Sequence, residues 1–207
     1  PLYHLTVVVD DGVMGVSHVI RAQEHIANTP RQILILEALG FQRPIYAHIP
    51  LVLAPDKSKL SKRHGATALL DFKDMGYLPA AVQNFLAFLG WNPGTEQELF
   101  SLTELIQEFS LEKVQKGGGV FNLEKLDWFN KEYMKKLPEA AAVMEIRKHL
   151  DLPDELIARA LPSIMERISK WKDLDNEAEF GFYKSLPDYA PEGLIWKKSD
   201  KEKTLEY

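Results

Sequence analysis

The sequence predicts an α/β segment that gives way to an all-α one, and three observations carry that reading. Apolar, β-branched runs at residues 2–9, 17–21 and 44–53 have the length and composition of strands. A segment with helix start and stop signals lies between the second and third. From Ala66 onward the strand signals disappear, and apolar residues recur at helical spacing instead.

The first run, Leu2 through Val9, reads as a strand that ends at the turn signal Asp10-Asp11-Gly12. Ser17-His18-Val19-Ile20-Arg21 is a second, short strand. Thr29-Pro30 then supplies an N-cap and a proline at the first helical position, and Gly40 supplies the residue after the last turn. Between them Ile33, Leu34, Ile35 and Leu36 predict a helix covered on most sides. Residues 44–53 form the third strand, so the order is β, β, α, β, which suits the later half of a doubly wound sheet.

In the helical part, residues 79–90 carry Val82, Phe85, Leu86 and Leu89 at helical spacing. Ser101 and Glu104 form a capping box ahead of a stripe of Leu102, Leu105, Ile106 and Phe109. Gly117-Gly118-Gly119 reads as a flexible connector, because no strand precedes it and no Lys-Ser/Thr pair follows it. Residues 122–137 form a helix with Leu126, Phe129 and Tyr133 inward. Pro138 opens the next helix and Pro153 another, which Pro162 interrupts before Ile164, Ile168 and Trp171. Phe180, Phe182, Tyr183 and Trp196 read as core or interface aromatics, and Ser199 and Glu202 as one more capping box.

Composition excludes several classes. The chain has 207 residues, 45% hydrophobic content, no cysteine, six scattered histidines and a net charge of −5. Disulfide frameworks, thiolate metal sites and a zinc site are therefore not expected. No apolar run approaches the ~20 residues of a membrane span. The acidic balance excludes a uniformly basic nucleic-acid coat, so any RNA contact comes from local patches.

The chemistry gathers after the third strand. An apolar run ending at Pro55-Asp56 hands the chain to a loop with Lys57, Lys59, Lys62 and Arg63, and Gly65 gives the backbone room to bend. On an open α/β sheet, the loop leaving a strand's carboxyl end lies over the ligand crevice, where cations reach a polyphosphate. Taken alone, such a loop is more often a solvated basic turn, and Arg21 a surface ion-pair partner. Tyr3 and Arg21, on two strands, could also share a rim of the sheet, where a guanidinium fork and a phenol would grip a carboxylate.

The order of residues adds a resemblance. Lys59-Leu60-Ser61-Lys62-Arg63 resembles the KMSKS signature of class I aminoacyl-tRNA synthetases in the KLSKR form common in glutamyl-tRNA synthetases, and His64-Gly65-Ala66 fits as well. The runs Tyr3 through Asp11, Met14 through His25, and Asn28-Thr29-Pro30-Arg31-Gln32 are similar to the same family's pattern. One departure is Ala22-Gln23-Glu24, where the family has Gly-Glu-Asp. Residues 76–91 and 120–130 resemble its helical stem-contact region.

The resemblance implies a Rossmann-type catalytic segment over 1–76, a stem-contact domain over 77–137 and the start of an α-helical anticodon-binding domain over 138–207. It implies an internal piece of a longer ligase, without the HIGH-containing half and inactive alone. The whole enzyme would activate L-glutamate with ATP and Mg2+ and charge tRNA(Glu), as a cytoplasmic monomer. Lys59, Ser61, Lys62 and Arg63 would act on the phosphates, with Lys62 as the main nucleotide contact. Glu24, Leu51 and Val52 would bind ATP, and Tyr3, Val7 and Arg21 would bind glutamate. The alternatives are a tRNA-binding paralogue without catalysis, a glutaminyl-type enzyme, and a helical module whose basic loop binds an acidic protein.

Overall fold

The computed structural model describes residues 3–61, 63, 65, 68–176 and 180. The chain divides into two compact units, Pro1–Tyr133 and Met134–Tyr207. The first opens with helix α1 (Tyr3–Met14), strand β1 (His18–Ala22), a 3-10 turn (Gln23–Asn28), helix α2 (Thr29–Ala38) and strand β2 (Ile45–Ile49).

The strand expected at residues 2–9 is thus a helix from Tyr3 onward. Its inward positions are His4, Val7, Val8, Asp11 and Gly12, the i, i+3, i+4, i+7, i+8 spacing of a one-faced helix. β-propensity is a weak preference that yields to packing. Val8 on α1 and Leu36 on α2 are each 1% exposed, and the Phe41 ring fills the place a side chain on Gly12 would take. The observed order is therefore α, β, α, β.

Helix α2 starts and stops where Thr29-Pro30 and Gly40 predict. Gly40 has a φ of +73°, and the Phe41 N–H closes on the Leu36 carbonyl at 3.0 Å. The helix is covered on one face only, however: Gln32 and Leu36 are buried, and Leu34 is exposed. Strands β1 and β2 pair in parallel, with Arg21 opposite His48, and α2 makes the crossover between them. Strand β2 stops at Ile49, short of the expected residue 53, because Pro50 has no N–H for the ladder.

The helical part of this unit contains α3 (Leu69–Asp74), α4 (Pro79–Phe88), α5 (Leu102–Glu108) and α6 (Leu123–Met134). Phe72, Tyr77, Val82, Phe85, Phe121, Leu126 and Phe129 form one aromatic-rich core. Side chains of α6 hold the start of α4: Asn130 Oδ1 accepts from the Leu78 N–H at 2.8 Å, and the Tyr77 hydroxyl donates to Asp127 at 2.5 Å. Ser101 and Glu104 form the predicted capping box, yet the stripe behind it is narrower than expected. Leu105 is buried against Trp91 and Phe100, whereas Leu102, Ile106 and Phe109 are exposed.

Of the three glycines, Gly118 and Gly119 form a close-packed crossing rather than slack, while a side chain on Gly117 would meet open space. Leu53 N–H donates to the Gly119 carbonyl at 2.9 Å, and Phe121 N–H donates to the Leu53 carbonyl at 2.8 Å. A Cβ on Gly118 would come within 2.7 Å of the Leu51 carbonyl oxygen, and one on Gly119 would collide with the Leu89 backbone. Glycine is needed there for backbone-to-backbone approach.

In the second unit, α7 (Glu139–Arg147), α8 (Asp154–Arg167) and a 3-10 turn (Trp171–Asp175) enclose Ile146, Leu150, Ile157, Ile164, Ile168 and Leu174. Pro162 lies inside α8 and does not interrupt it. An interior proline costs about 3 kcal/mol, and Ile157 and Ile164, both 0% exposed, hold the helix on either side of it. Phe180 is buried. Phe182, Tyr183, Trp196 and the Ser199 capping box lie outside the described residues. Among the described residues no helix is long and apolar enough to cross a membrane.

Candidate functional site

Arg21 stands near the carboxyl end of β1, and the parallel register puts it beside His48 of β2. Its Nη2 donates to Thr29 Oγ1 at 2.8 Å and to Gln32 Oε1 at 2.7 Å, while Nε points at His48 Nε2 from 3.5 Å. The Tyr46 ring lies against the guanidinium, 5.4 Å from Cζ to the ring centre. Tyr46 and His48, two apart on one strand, share a face and stack at 6.5 Å. Thr29 and Gln32 share the first turn of α2, three residues apart.

The cluster favours one charge state. Burial first, and then the Arg21 charge and His25, hold the His48 imidazole below its usual range, so the ring stays neutral beside the guanidinium. Burial likewise pushes the Tyr46 phenol up, against the pull of Arg21. Thr29 Oγ1 donates to the His25 carbonyl at 3.0 Å and lies 3.1 Å from His48 Nε2. Its hydroxyl therefore serves this cluster and does not cap α2, whose N-cap position is Asn28.

The 3-10 turn after β1 carries the next two groups. Tyr3 Oη lies 3.1 Å from His25 Nδ1, and Asn28 Nδ2 lies 3.2 Å from the same nitrogen. Glu24 Oε2 accepts from Lys59 Nζ at 2.6 Å. That hydrogen bond and the ammonium charge hold the Glu24 carboxyl below its ordinary range.

Lys59 reaches Glu24 because the basic loop leaves a tight reversal. Leu53 faces Lys59 in an antiparallel bridge, and the Leu60 N–H donates to the Val52 carbonyl at 3.1 Å. At the tip, Ala54 N–H donates to the Ser58 carbonyl at 2.8 Å, Asp56 Oδ1 accepts from the Ser58 N–H at 2.9 Å, and Lys57 takes a φ of +62°. This is the turn that Pro55-Asp56 signals.

Tyr3, Arg21, Glu24 and Lys59 thus gather around one 3-10 turn. Tyr3 arrives on a helix, not on the expected strand, and its hydroxyl meets His25 rather than sharing a sheet rim with Arg21. Val7 is half-buried one turn further along α1. Leu51 and Val52 follow β2 outside the strand, with Val52 tied to Leu60. Ser61 is half-buried, and exposed Arg63 places Nη2 3.5 Å from Ser58 Oγ. Lys62 lies outside the described residues.

Sequence reasoning missed His25, Gln32 and His48. A signal existed for the last two: each is a polar residue on an inward face, Gln32 one turn before buried Leu36 and His48 two residues after Tyr46. Among the described residues, no group of three or more His, Cys, Asp or Glu could hold a metal ion.

A β-α-β crossover with a cationic loop folded back over the turn after its first strand has the layout of a doubly wound α/β sheet, whose ligand crevice lies at the carboxyl ends of the strands. The family described as "tRNA synthetases class I (E and Q), catalytic domain" matches residues 1–128, and the chain belongs to it. The relatives it matches include glutamate–tRNA ligases. That of Desulforudis audaxviator is 42% identical over 205 residues, which cover 94% of this chain and 41% of that protein. That of a Dehalococcoides mccartyi strain is 43% identical over 217 residues, covering 99% of this chain and 44% of that protein. The crystal structure of a glutamate tRNA ligase from Elizabethkingia meningosepticum, in complex with its amino acid, superposes with a TM-score of 0.76 at 34% identity, covering 87% of this chain and 40% of that one. The chain spans less than half the length of these relatives.

Proposed function

We propose that the protein containing this chain is a glutamate–tRNA ligase. A carboxylate oxygen of L-glutamate attacks the α-phosphorus of ATP, and pyrophosphate leaves; a terminal ribose hydroxyl of tRNA(Glu) then attacks the acyl carbon, and AMP leaves. The observation that carries this reading is the 2.6 Å Lys59–Glu24 pair, which ties the base of the KLSKR loop to the turn that follows Arg21. It supports a single site for nucleotide and amino acid. The names of the relatives support glutamate as the amino acid.

In this reading Lys59, Ser61, Lys62 and Arg63 stabilise charge that builds on the phosphates. Glu24, Leu51 and Val52 line the nucleotide, and Tyr3, Val7 and Arg21 hold glutamate. Mg2+ enters with ATP as part of the substrate. Residues 1–76 belong to the Rossmann-type catalytic domain, 77–137 contact the tRNA stem, and 138–207 begin an anticodon-binding domain. The full-length protein works as a monomer in the cytoplasm, and the present segment alone does not catalyse.

Lys62→Ala in the full-length protein tests the assignment. ATP–pyrophosphate exchange, measured with glutamate and tRNA present, should slow by at least about tenfold, the scale of losing one preorganised electrostatic contact. Unchanged exchange would remove Lys62 from the reaction.

A further inference from the structure

Resting on the reading that Arg21 grips glutamate, we propose that Gln32, Thr29 and His48 are positioning residues that lock the Arg21 guanidinium with Nη1 turned to the substrate carboxylate. The bonds define the orientation. Both N–H groups of Nη2 are taken, by Thr29 Oγ1 at 2.8 Å and Gln32 Oε1 at 2.7 Å, and Nε is directed at His48. Tyr46 covers one face of the plane. Among the described residues Nη1 meets no acceptor, so of the five donors in the fork, its two remain for a ligand.

Gln32 is the telling member. It is 1% exposed on the inward face of α2, one turn before buried Leu36, a position that apolar side chains usually occupy. Its Nε2 is buried and, among the described residues, has no hydrogen-bond partner, so the bond from Arg21 to Oε1 is the one the side-chain amide makes there. A buried donor left unsatisfied is destabilising. The fold keeps it because the carbonyl end fixes a charged ligand-binding group, which an apolar residue cannot do.

His48 and Thr29 complete the lock from the other side. His48 reaches the cluster from the neighbouring strand, and the Thr29 hydroxyl meets Arg21, His48 and the His25 carbonyl at once. Rotating the guanidinium would break contacts to two elements, β2 and α2. A carboxylate docking on Nη1 therefore meets a donor already aimed, and little side-chain freedom is lost on binding.

Steady-state exchange kinetics on the full-length protein, with glutamate, ATP and tRNA, test this through Gln32→Leu, Thr29→Val, Thr29→Ser and Arg21→Ala. Gln32→Leu and Thr29→Val should each raise the KM for glutamate about tenfold, in line with the rate lost on slight misplacement, and leave the KM for ATP unchanged. Thr29→Ser, which keeps the hydroxyl, should stay near wild type. Gln32→Leu should melt near wild type, because removing the unpaired buried amide offsets the Arg21 Nη2 N–H that loses its acceptor. If both lock variants leave the glutamate KM unchanged while Arg21→Ala raises it, the lock is overturned and the role of Arg21 stands. If Arg21→Ala has no effect on that KM, the glutamate reading falls and takes the lock with it. A parallel rise in both KM values with a lower melting temperature would make Gln32 a structural residue only and would also overturn the proposal.

Discussion

Residues 3–50 and residues 69–133 belong to one compact unit but are held together differently. In the first stretch Val8 and Leu36 are the deeply buried apolar side chains, and Ile20, Ile26, Leu34, Ile45 and Ile49 are exposed. What orders it is a hydrogen-bonded cluster around Arg21 and His25. In the second stretch Phe72, Phe85, Phe121 and Phe129 pack edge to face or tilted, and the buried side-chain oxygens of Asn84 and Asn130 accept from the backbone N–H groups of Phe100 and Leu78 on other segments. One stretch spends its polar groups on a charged site, and the other on joining helices. Substitutions in the first should change substrate binding, and substitutions in the second should change stability.

Phe129→Ala offers the hardest test of that contrast. The ring is 0% exposed and lies within 6.2 Å of Phe85, Phe88 and Trp128, with Lys125 Nζ 5.3 Å from its centre. Truncation should cost about 3–5 kcal/mol, read as a lower urea midpoint at unchanged slope. A loss under about 1 kcal/mol would show that the aromatic cluster is not where the stability lies. Gln32→Leu should do the opposite, moving the glutamate KM while the melting temperature holds. Ser101→Ala, which removes only the cap of α5, should cost about 1 kcal/mol and leave exchange kinetics unchanged.

Legibility in the sequence follows the same divide. Helices α4 and α5 announce themselves through local cap chemistry at Pro79 and Ser101, whereas α3 starts after Ala68, which has no side-chain cap, and gives no such signal. The basic loop and Arg21 were legible from residue order. Helix α1 was not: Val7, Val8 and Val9 favour a strand locally, and only packing on α2 reveals the helical period through His4, Val8 and Asp11. Pro162 misleads for a related reason, since burial of Ile157 and Ile164 outweighs its local cost. The roles of Gly118, Gly119 and Gln32 depend on segments distant in the chain, the Leu51 and Leu89 backbones and Arg21. No window of neighbouring residues contains that information.

The contact between Lys59 and Glu24 is where loop and strand end meet, so a double-mutant cycle there bears most directly on a single shared site. Lys59→Ala, Glu24→Gln and the double variant would be compared in the full-length protein by the KM for ATP in pyrophosphate exchange. A shared site predicts that each single change raises that KM at least about threefold, and that the double change falls well short of the product of the two. Effects that multiply, or an ATP KM indifferent to both, would place the loop and the strand end in separate functions.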